Sequence, residues 1–154
     1  MSMSEIYRAE RHDAEDVCRI VRSTILQVYP RHYPQAVVDE FIKSNDPQTI
    51  LADIDRGCVY YIRCGVSAVG TVTVRSDLIS RLYVLPLYQG RGFGEALLEF
   101  AESRVAQLYK KAWLEAVPSS ESFYLRHGYT FEKQCSCTIG GEEFYWNELS
   151  RVLR

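Results

Sequence analysis

The sequence predicts a mixed α/β fold in which helices flank a central sheet. Three observations lead there. Strand-like and helix-like segments follow the order strand, helices, three strands, helix, strand, helix, two strands. Apolar residues make up 47% of 154, enough for one domain with a real core. A glycine-rich turn, Gln89-Gly90-Arg91-Gly92-Phe93-Gly94, joins a strand-like run to a helix-like run. No linker, repeat or low-complexity segment divides the chain, so residues 1–154 read as one domain.

Ile6 to Arg8 reads as a short first strand. Asp13, with Asp16 behind it, fits a helix N-cap with an acidic first turn. Val17, Ile20, Val21, Thr24, Ile25 and Val28 recur at helical spacing and give that helix one apolar stripe, which Pro30 ends. The connector Tyr29-Pro30-Arg31-His32-Tyr33-Pro34 leads to two short helices, Gln35 to Lys43 and Gln48 to Asp55. Cys58 to Cys64 and Ala68 to Arg75 are strands around the turn Gly65-Val66-Ser67, the second rich in Val and Thr. Leu78 to Leu85 is the next strand and enters the glycine turn. Glu95 to Tyr109 is a long helix with Leu97, Ala101, Val105 and Leu108 on its buried stripe. Ala112 to Val117 is a strand. Pro118-Ser119 opens a short helix that carries Tyr124 and ends at Gly128. Tyr129 to Ile139 and Glu142 to Leu149 form a hairpin around Gly140-Gly141.

Bulk properties exclude several classes. No apolar run approaches the ~20 residues that span a bilayer, and the first residues lack a signal-peptide pattern. A cytoplasmic protein with no membrane partner is expected. The net charge of -2 does not favour nucleic acid. Five cysteines, Cys18, Cys58, Cys64, Cys135 and Cys137, show no disulfide framework. Cys135-Ser136-Cys137 lacks a second ligand pair at zinc spacing, so no metal is expected; on a strand both thiols share a face.

The glycine turn carries the first chemistry. Glycine allows positive φ and removes the Cβ that blocks close approach. The N–H groups opening a helix lack internal partners, and the helix dipole adds partial positive charge. Together they make an anion site suited to phosphate. The dinucleotide fingerprint fails on spacing, because the sixth position from Gly90 is Glu95. A Walker-type loop fails because no Gly-Lys pair exists.

The residues around the turn narrow the choice. Arg81-Leu82-Tyr83-Val84-Leu85-Pro86-Leu87-Tyr88 followed by Gln89-Gly90-Arg91-Gly92-Phe93-Gly94 resembles the acetyl-coenzyme A (acetyl-CoA) motif of the GNAT superfamily of N-acetyltransferases, Gln/Arg-x-x-Gly-x-Gly/Ala after a strand. Ser122-Phe123-Tyr124-Leu125-Arg126-His127-Gly128-Tyr129 resembles the family's Phe-Tyr-x-x-x-Gly-Phe/Tyr element, in the expected order. The resemblance runs from about Ile6 to Leu149; its motifs occupy Leu78 to Tyr129. It implies the GNAT fold, a central mixed, mostly antiparallel sheet with splayed strands flanked by helices. It implies acetyl-CoA as cosubstrate and an amine acceptor as partner, with a homodimer allowed.

The resemblance also implies roles. Leu82, Tyr83 and Val84 supply main chain to the pantetheine arm, with the Val84 N–H donating to the thioester carbonyl as it becomes an oxyanion. Gln89, Gly90, Arg91, Gly92, Phe93, Gly94 and Glu95 wrap the pyrophosphate; for Arg91 a solvated surface position is the plain alternative. Tyr124 matches the general acid that protonates the departing thiolate. In the strand before the glycine turn Leu78 stands where many members carry a glutamate base, and Asp77 is displaced from it. Glu115, in Trp113-Leu114-Glu115-Ala116, is the remaining candidate, with ordered water as the alternative. Val117 stands where the family often has Asn or Ser. Ser119 and Ser120 lie near enough to substitute, although helix-start residues need no such role. His127 reads as a surface helix residue rather than a proton shuttle. Tyr29, His32, Tyr33 and Tyr145 are expected on the acceptor side, where rings can hold a cation or stack. Two other readings stay open: a silent GNAT domain that binds acyl-CoA as a sensor, and an interaction domain using the aromatic run Phe144-Tyr145-Trp146.

Overall fold

The computed structural model describes residues 6–153. Strand segments Ile6–Arg8 (β1), Val59–Cys64 (β2), Ser67–Arg75 (β3), Leu78–Val84 (β4), Lys111–Ala116 (β5), Thr130–Ile139 (β6) and Glu142–Val152 (β7) form one seven-stranded sheet in the order β1-β2-β3-β4-β5-β7-β6. Tight turns join β2 to β3, β3 to β4 and β6 to β7, and those pairs are antiparallel. The passage from β4 to β5 runs through the helix Phe93–Ala106 (α4), so these two strands are parallel.

Alternate residues along each strand feed opposite faces. Tyr60 and Ile62 of β2 join a core with α4 and with Glu121–Arg126 (α5), built on Leu97, Leu98, Ala101, Leu114 and Leu149. Val59 and Tyr61 join a second core under Ala14–Val28 (α1), Gln35–Ser44 (α2) and Pro47–Asp55 (α3), built on Ile20, Val21, Ile25, Val38 and Ile50. The predicted stripe of α1 is buried from Val17 to Ile25. Among the described residues no helix is long and apolar enough to cross a membrane.

Local departures from the expected elements have simple causes. Asp13 does not cap α1 with its side chain; Oδ2 turns back to accept from the Glu10 N–H at 2.8 Å and closes a short 3-10 turn, Arg11–Asp13. Pro30 does not end the helical path at once, because a 3-10 turn, Tyr29–Arg31, tolerates proline near its start. The long helix starts at Phe93 and stops at Ala106. Leu108 therefore falls outside it and is 84% exposed rather than buried.

Two irregularities in β4 shape the site. Thr71 pairs with Tyr83 but Thr73 pairs with Ser80, so β4 carries one extra residue, a β-bulge. Arg81 occupies it at φ +48°. A left-handed arginine costs about 1–2 kcal/mol, and its side chain is clamped in return. Nη1 donates to Asp53 Oδ2 at 2.6 Å and Nε to Asn45 Oδ1 at 2.7 Å. The second irregularity is the β4–β5 ladder, which among the described residues has a single rung, Leu78 to Trp113. Beyond it the strands part.

Candidate active site

The parted strands leave main chain without a neighbour. Leu85 donates its N–H to Val69 O on β3 at 2.9 Å. Successive residues present their backbone groups to opposite sides, so Val84 and Leu82 face the gap toward β5. The Val84 carbonyl is taken by Gln89 Nε2 at 2.8 Å, which folds the turn back onto the strand. Its N–H stays directed into the gap. Tyr83 pairs through its main chain with Thr71 on β3, so its ring, not its backbone, reaches the cleft.

The glycine turn opens onto the same gap. Gly90 has φ +77° and Gly92 φ +90°, and a Cβ at either would meet nothing within 4 Å. Backbone conformation calls for these glycines, and the space above them is free. The first i→i−4 bond of α4 runs from Ala96 N to Gly92 O at 3.0 Å. The N–H groups of Phe93, Gly94 and Glu95 precede it and lack helical partners. A Cβ on Gly94 would lie 3.6 Å from Phe123 Cζ and 3.9 Å from Val84 Cγ2, so the helix start is wedged between α5 and β4. Arg91 lies over the Tyr88 ring at 5.1 Å. A row of free donors at a helix N-terminus, continuous with an unpaired strand edge, fits a ligand that ends in phosphates and carries an amide-bearing arm.

Both features line one cavity of about 820 Å³, which also takes in Tyr29, Glu115, Tyr124, Phe144 and Trp146. Tyr124 is only 9% exposed, and its hydroxyl has no hydrogen-bond partner among the described residues. Burial, then the nearby Tyr83, pushes its pKa well above the usual phenol value, so the proton stays on. Tyr29 and Tyr83 bring their hydroxyls within 3.3 Å, and burial raises both. Tyr33 donates to Ser119 Oγ at 2.8 Å and accepts from the Ser119 N–H at 3.0 Å. Ser119 and Ser120 both border the cavity, with Ser120 Oγ donating to Val117 O at 3.2 Å.

Glu115 is exposed on the sheet face that Phe144 and Trp146 share, and Oε2 accepts from Trp146 Nε1 at 3.3 Å. No carboxylate comes from β4; Leu78 lines the cavity there. His32 is exposed, its ring 6.0 Å from that of Tyr33 and outside the cavity lining. Tyr145 alternates to the other face from Phe144 and Trp146 and is 47% exposed. His127 is held between Phe123 O at 2.7 Å and Glu95 at 3.5 Å, bridging α5 to α4. The five cysteines are free thiols. Sequence reasoning missed Glu40 and Phe41 of α2 as cavity residues; only the folded path of α2 over the sheet brings them there.

A family model described as the acetyltransferase (GNAT) domain matches residues 45–131, more than half the chain. The chain belongs to the GNAT acetyltransferase family. The match holds both the glycine turn and the Tyr124 segment. Solved structures resemble this GNAT protein over almost its whole length. A GCN5-related N-acetyltransferase from Rhodopseudomonas palustris has a TM-score of 0.86 at 22% identity and covers 99% of this chain and 98% of its own. The PaiA N-acetyltransferase from Thermoplasma acidophilum, solved in complex with coenzyme A, has a TM-score of 0.77 at 18% identity, covering 96% and 98%. An N-acetyltransferase from Staphylococcus aureus Mu50 has a TM-score of 0.74 at 18% identity, covering 97% of each chain. A comparison with curated protein sequences found no match. The fold implied by the two sequence motifs is the one observed, a mixed and mostly antiparallel sheet flanked by helices.

Proposed function

We propose that this protein is a cytoplasmic N-acetyltransferase that moves an acetyl group from acetyl-CoA to a primary amine of a small molecule or protein. Residues 1–154 form its one catalytic domain, and the amine attacks directly in a ternary complex. The observation that carries this reading is that the unpaired edge of β4, the open start of α4 and the unpartnered Tyr124 hydroxyl share one cavity. Acetyl-CoA would supply the activated thioester. Gly90, Gly92 and the first-turn N–H groups of α4 would hold its phosphates, and the Leu82 and Val84 main chain its arm.

Each residue then has one task. Glu115, or water ordered beside it, accepts the proton of the incoming ammonium. The Val84 N–H is a fixed donor for the negative charge that develops on the carbonyl oxygen. Tyr124 keeps its proton at any working pH and donates it to the thiolate as charge builds on sulfur.

Acetyl-CoA consumption with an amine panel, beside thermal melting with acetyl-CoA, tests this. Tyr124→Phe should lower kcat by about a hundredfold or more, the usual range for a lost proton donor, with the melting shift retained. Unchanged kcat removes Tyr124 from the chemistry. Glu115→Gln should slow the reaction most at low pH, where the amine is charged; an unaltered pH–rate profile assigns the base to water. A second reading, a silent acyl-CoA-binding domain, draws on Leu78 in place of a β4 carboxylate and on the exposure of Glu115. It predicts a melting shift with no turnover on any amine.

A further inference from the structure

We propose that the acceptor is a small primary amine on an aromatic or similarly flat apolar body, not a lysine side chain of a protein. This rests on the acetyl-transfer reading above and concerns the end of the cleft away from the glycine turn.

The first argument is closure. The β6–β7 turn sits directly on α2: Gly140, at φ +60°, would place a Cβ only 2.6 Å from Ala36 Cβ. Behind the turn, Phe144 packs edge-on against Tyr33 at 5.5 Å and Phe41 at 5.8 Å. Tyr33 is tied down by its two hydrogen bonds to Ser119. The hairpin, α2 and the connector between α1 and α2 thus meet across the open sheet face. An extended peptide needs a path open at both ends, and these contacts bridge it. A compact molecule needs only the mouth.

The second argument is the lining. Tyr29, Phe41, Phe144 and Trp146 border this part of the cavity, with Phe144 and Trp146 stacked at 6.3 Å and Tyr29 edge-on to Phe41 at 4.9 Å. Ring edges and faces of this kind receive a flat apolar group and attract a cation.

The third argument is charge. Glu40 and Glu115 border the cavity, and neither forms an ion pair among the described residues. Glu40 accepts from Ser44 Oγ at 3.0 Å and Glu115 from the Trp146 indole. The part-buried Arg81, which also borders the cavity, is committed to Asp53 and Asn45. Arg126 of α5 also borders the cavity, as does Glu95, which pairs with His127. Glu40 and Glu115 are the carboxylates on the aromatic side, and they favour an ammonium there. The same cavity is lined by the buried Tyr124, whose hydroxyl has no hydrogen-bond partner among the described residues. An amine that fills the aromatic end brings its nitrogen toward that hydroxyl.

The test is steady-state turnover with acetyl-CoA and four probes: 2-phenylethylamine, butylamine, spermidine and a blocked lysine peptide. The expected result is a kcat/KM for 2-phenylethylamine at least about tenfold above butylamine, from ring burial and cation–ring attraction, with the peptide slowest. Phe144→Leu, which keeps an apolar side chain but removes the ring, should raise the KM for 2-phenylethylamine about tenfold while the acetyl-CoA melting shift persists. Equal or better turnover of the peptide, spermidine or butylamine overturns the acceptor assignment and leaves acetyl transfer standing. No turnover of any probe, with acetyl-CoA still bound, overturns both.

Discussion

Gly92 sits at the N-cap of α4 with φ +90° and ψ 1°, and a side chain placed there would meet no protein atom within 4 Å. Gly92→Val therefore introduces two separable effects. In the free protein the cost is conformational. Left-handed backbone costs an L-residue about 1–2 kcal/mol, and a β-branched one at least the upper figure. The less flexible unfolded chain offsets about 0.4–1 kcal/mol of this. The net is about 1 kcal/mol, or a fall of about 2–4 °C in Tm for a chain of this size. In the complex the valine branches occupy the open space above the turn, where a phosphate has to meet the first N–H groups of α4. Acetyl-CoA at about a hundred times its Kd should stabilise the parent by about 2.7 kcal/mol. If valine weakens binding a hundredfold, the same concentration adds only about 0.4 kcal/mol. Gly65→Val is the matched control: φ is +65°, nothing lies within 4 Å, and the residue belongs to the β2–β3 turn outside the cavity. It should lose a similar few degrees and keep the full acetyl-CoA shift. A full shift in Gly92→Val, or a lost shift in Gly65→Val, refutes the assignment of the phosphate site.

Gly70 tests the core instead: an added Cβ would lie 2.9 Å from Leu97 Cδ1, 3.1 Å from Ile62 Cγ2 and 3.2 Å from Tyr83 O. Gly70→Ala should cost about 1–3 kcal/mol in denaturant unfolding through overpacking, and a neutral result would show that β3 and α4 separate easily. Arg81→Met should destabilise by about 1–3 kcal/mol, because the buried Asp53 Oδ2 loses its partner and the carboxylate keeps only the exposed Arg56, whereas Arg56→Met, from the more exposed partner, should cost far less. Equal losses would mean that Arg81 adds nothing by its position. Burial raises the phenols of Tyr29, Tyr83 and Tyr124, so the folded state holds those protons longer than the unfolded chain. Their contribution is complete below about pH 10, the ordinary tyrosine value, and is lost as pH rises beyond it. Tm measured through this range should fall more gently in Tyr29→Phe than in the parent; an identical slope would detach Tyr29 from the effect.

The elements were legible because periodicity and punctuation agree along this chain. Val17 to Ile25 repeat every third or fourth residue, and the glycines at 65, 140 and 141 stand at turns that require positive φ. The β4 turn was legible for the same reason, since Gly90 and Gly92 carry conformations few other residues adopt. What stayed hidden was non-local. Nothing near Arg81 announces a bulge, because the clamp comes from Asn45 and Asp53, far away in sequence. Phe144 and Trp146 read as an exposed aromatic run until α2 is seen to lean across to them. Tyr145 and His32 lie on the hairpin and connector that the resemblance puts on the acceptor side, but strand alternation turns Tyr145 to the other face and His32 is exposed outside the cavity lining. Ending α4 three residues early moved Leu108 from core to surface, the usual fate of a periodic residue beyond the last helical bond.

A continuous sheet has two edges, and a sheet that divides at mid-width has four. The outer pair here are β1, three residues long among those described, and β6, a ten-residue strand that is exposed along most of its length and carries Glu132 and Lys133. The inner pair, the facing margins of β4 and β5, are the hazardous kind, since beyond their single rung they are short of partners. Their placement inside the molecule changes what they can meet. A foreign strand entering between them would have to carry its side chains toward the two cores packed on the sheet faces. A thin arm without side chains has no such requirement. The same unsatisfied amides that would invite aggregation on an outer margin are, on an inner one, open to a slender ligand and awkward for a strand.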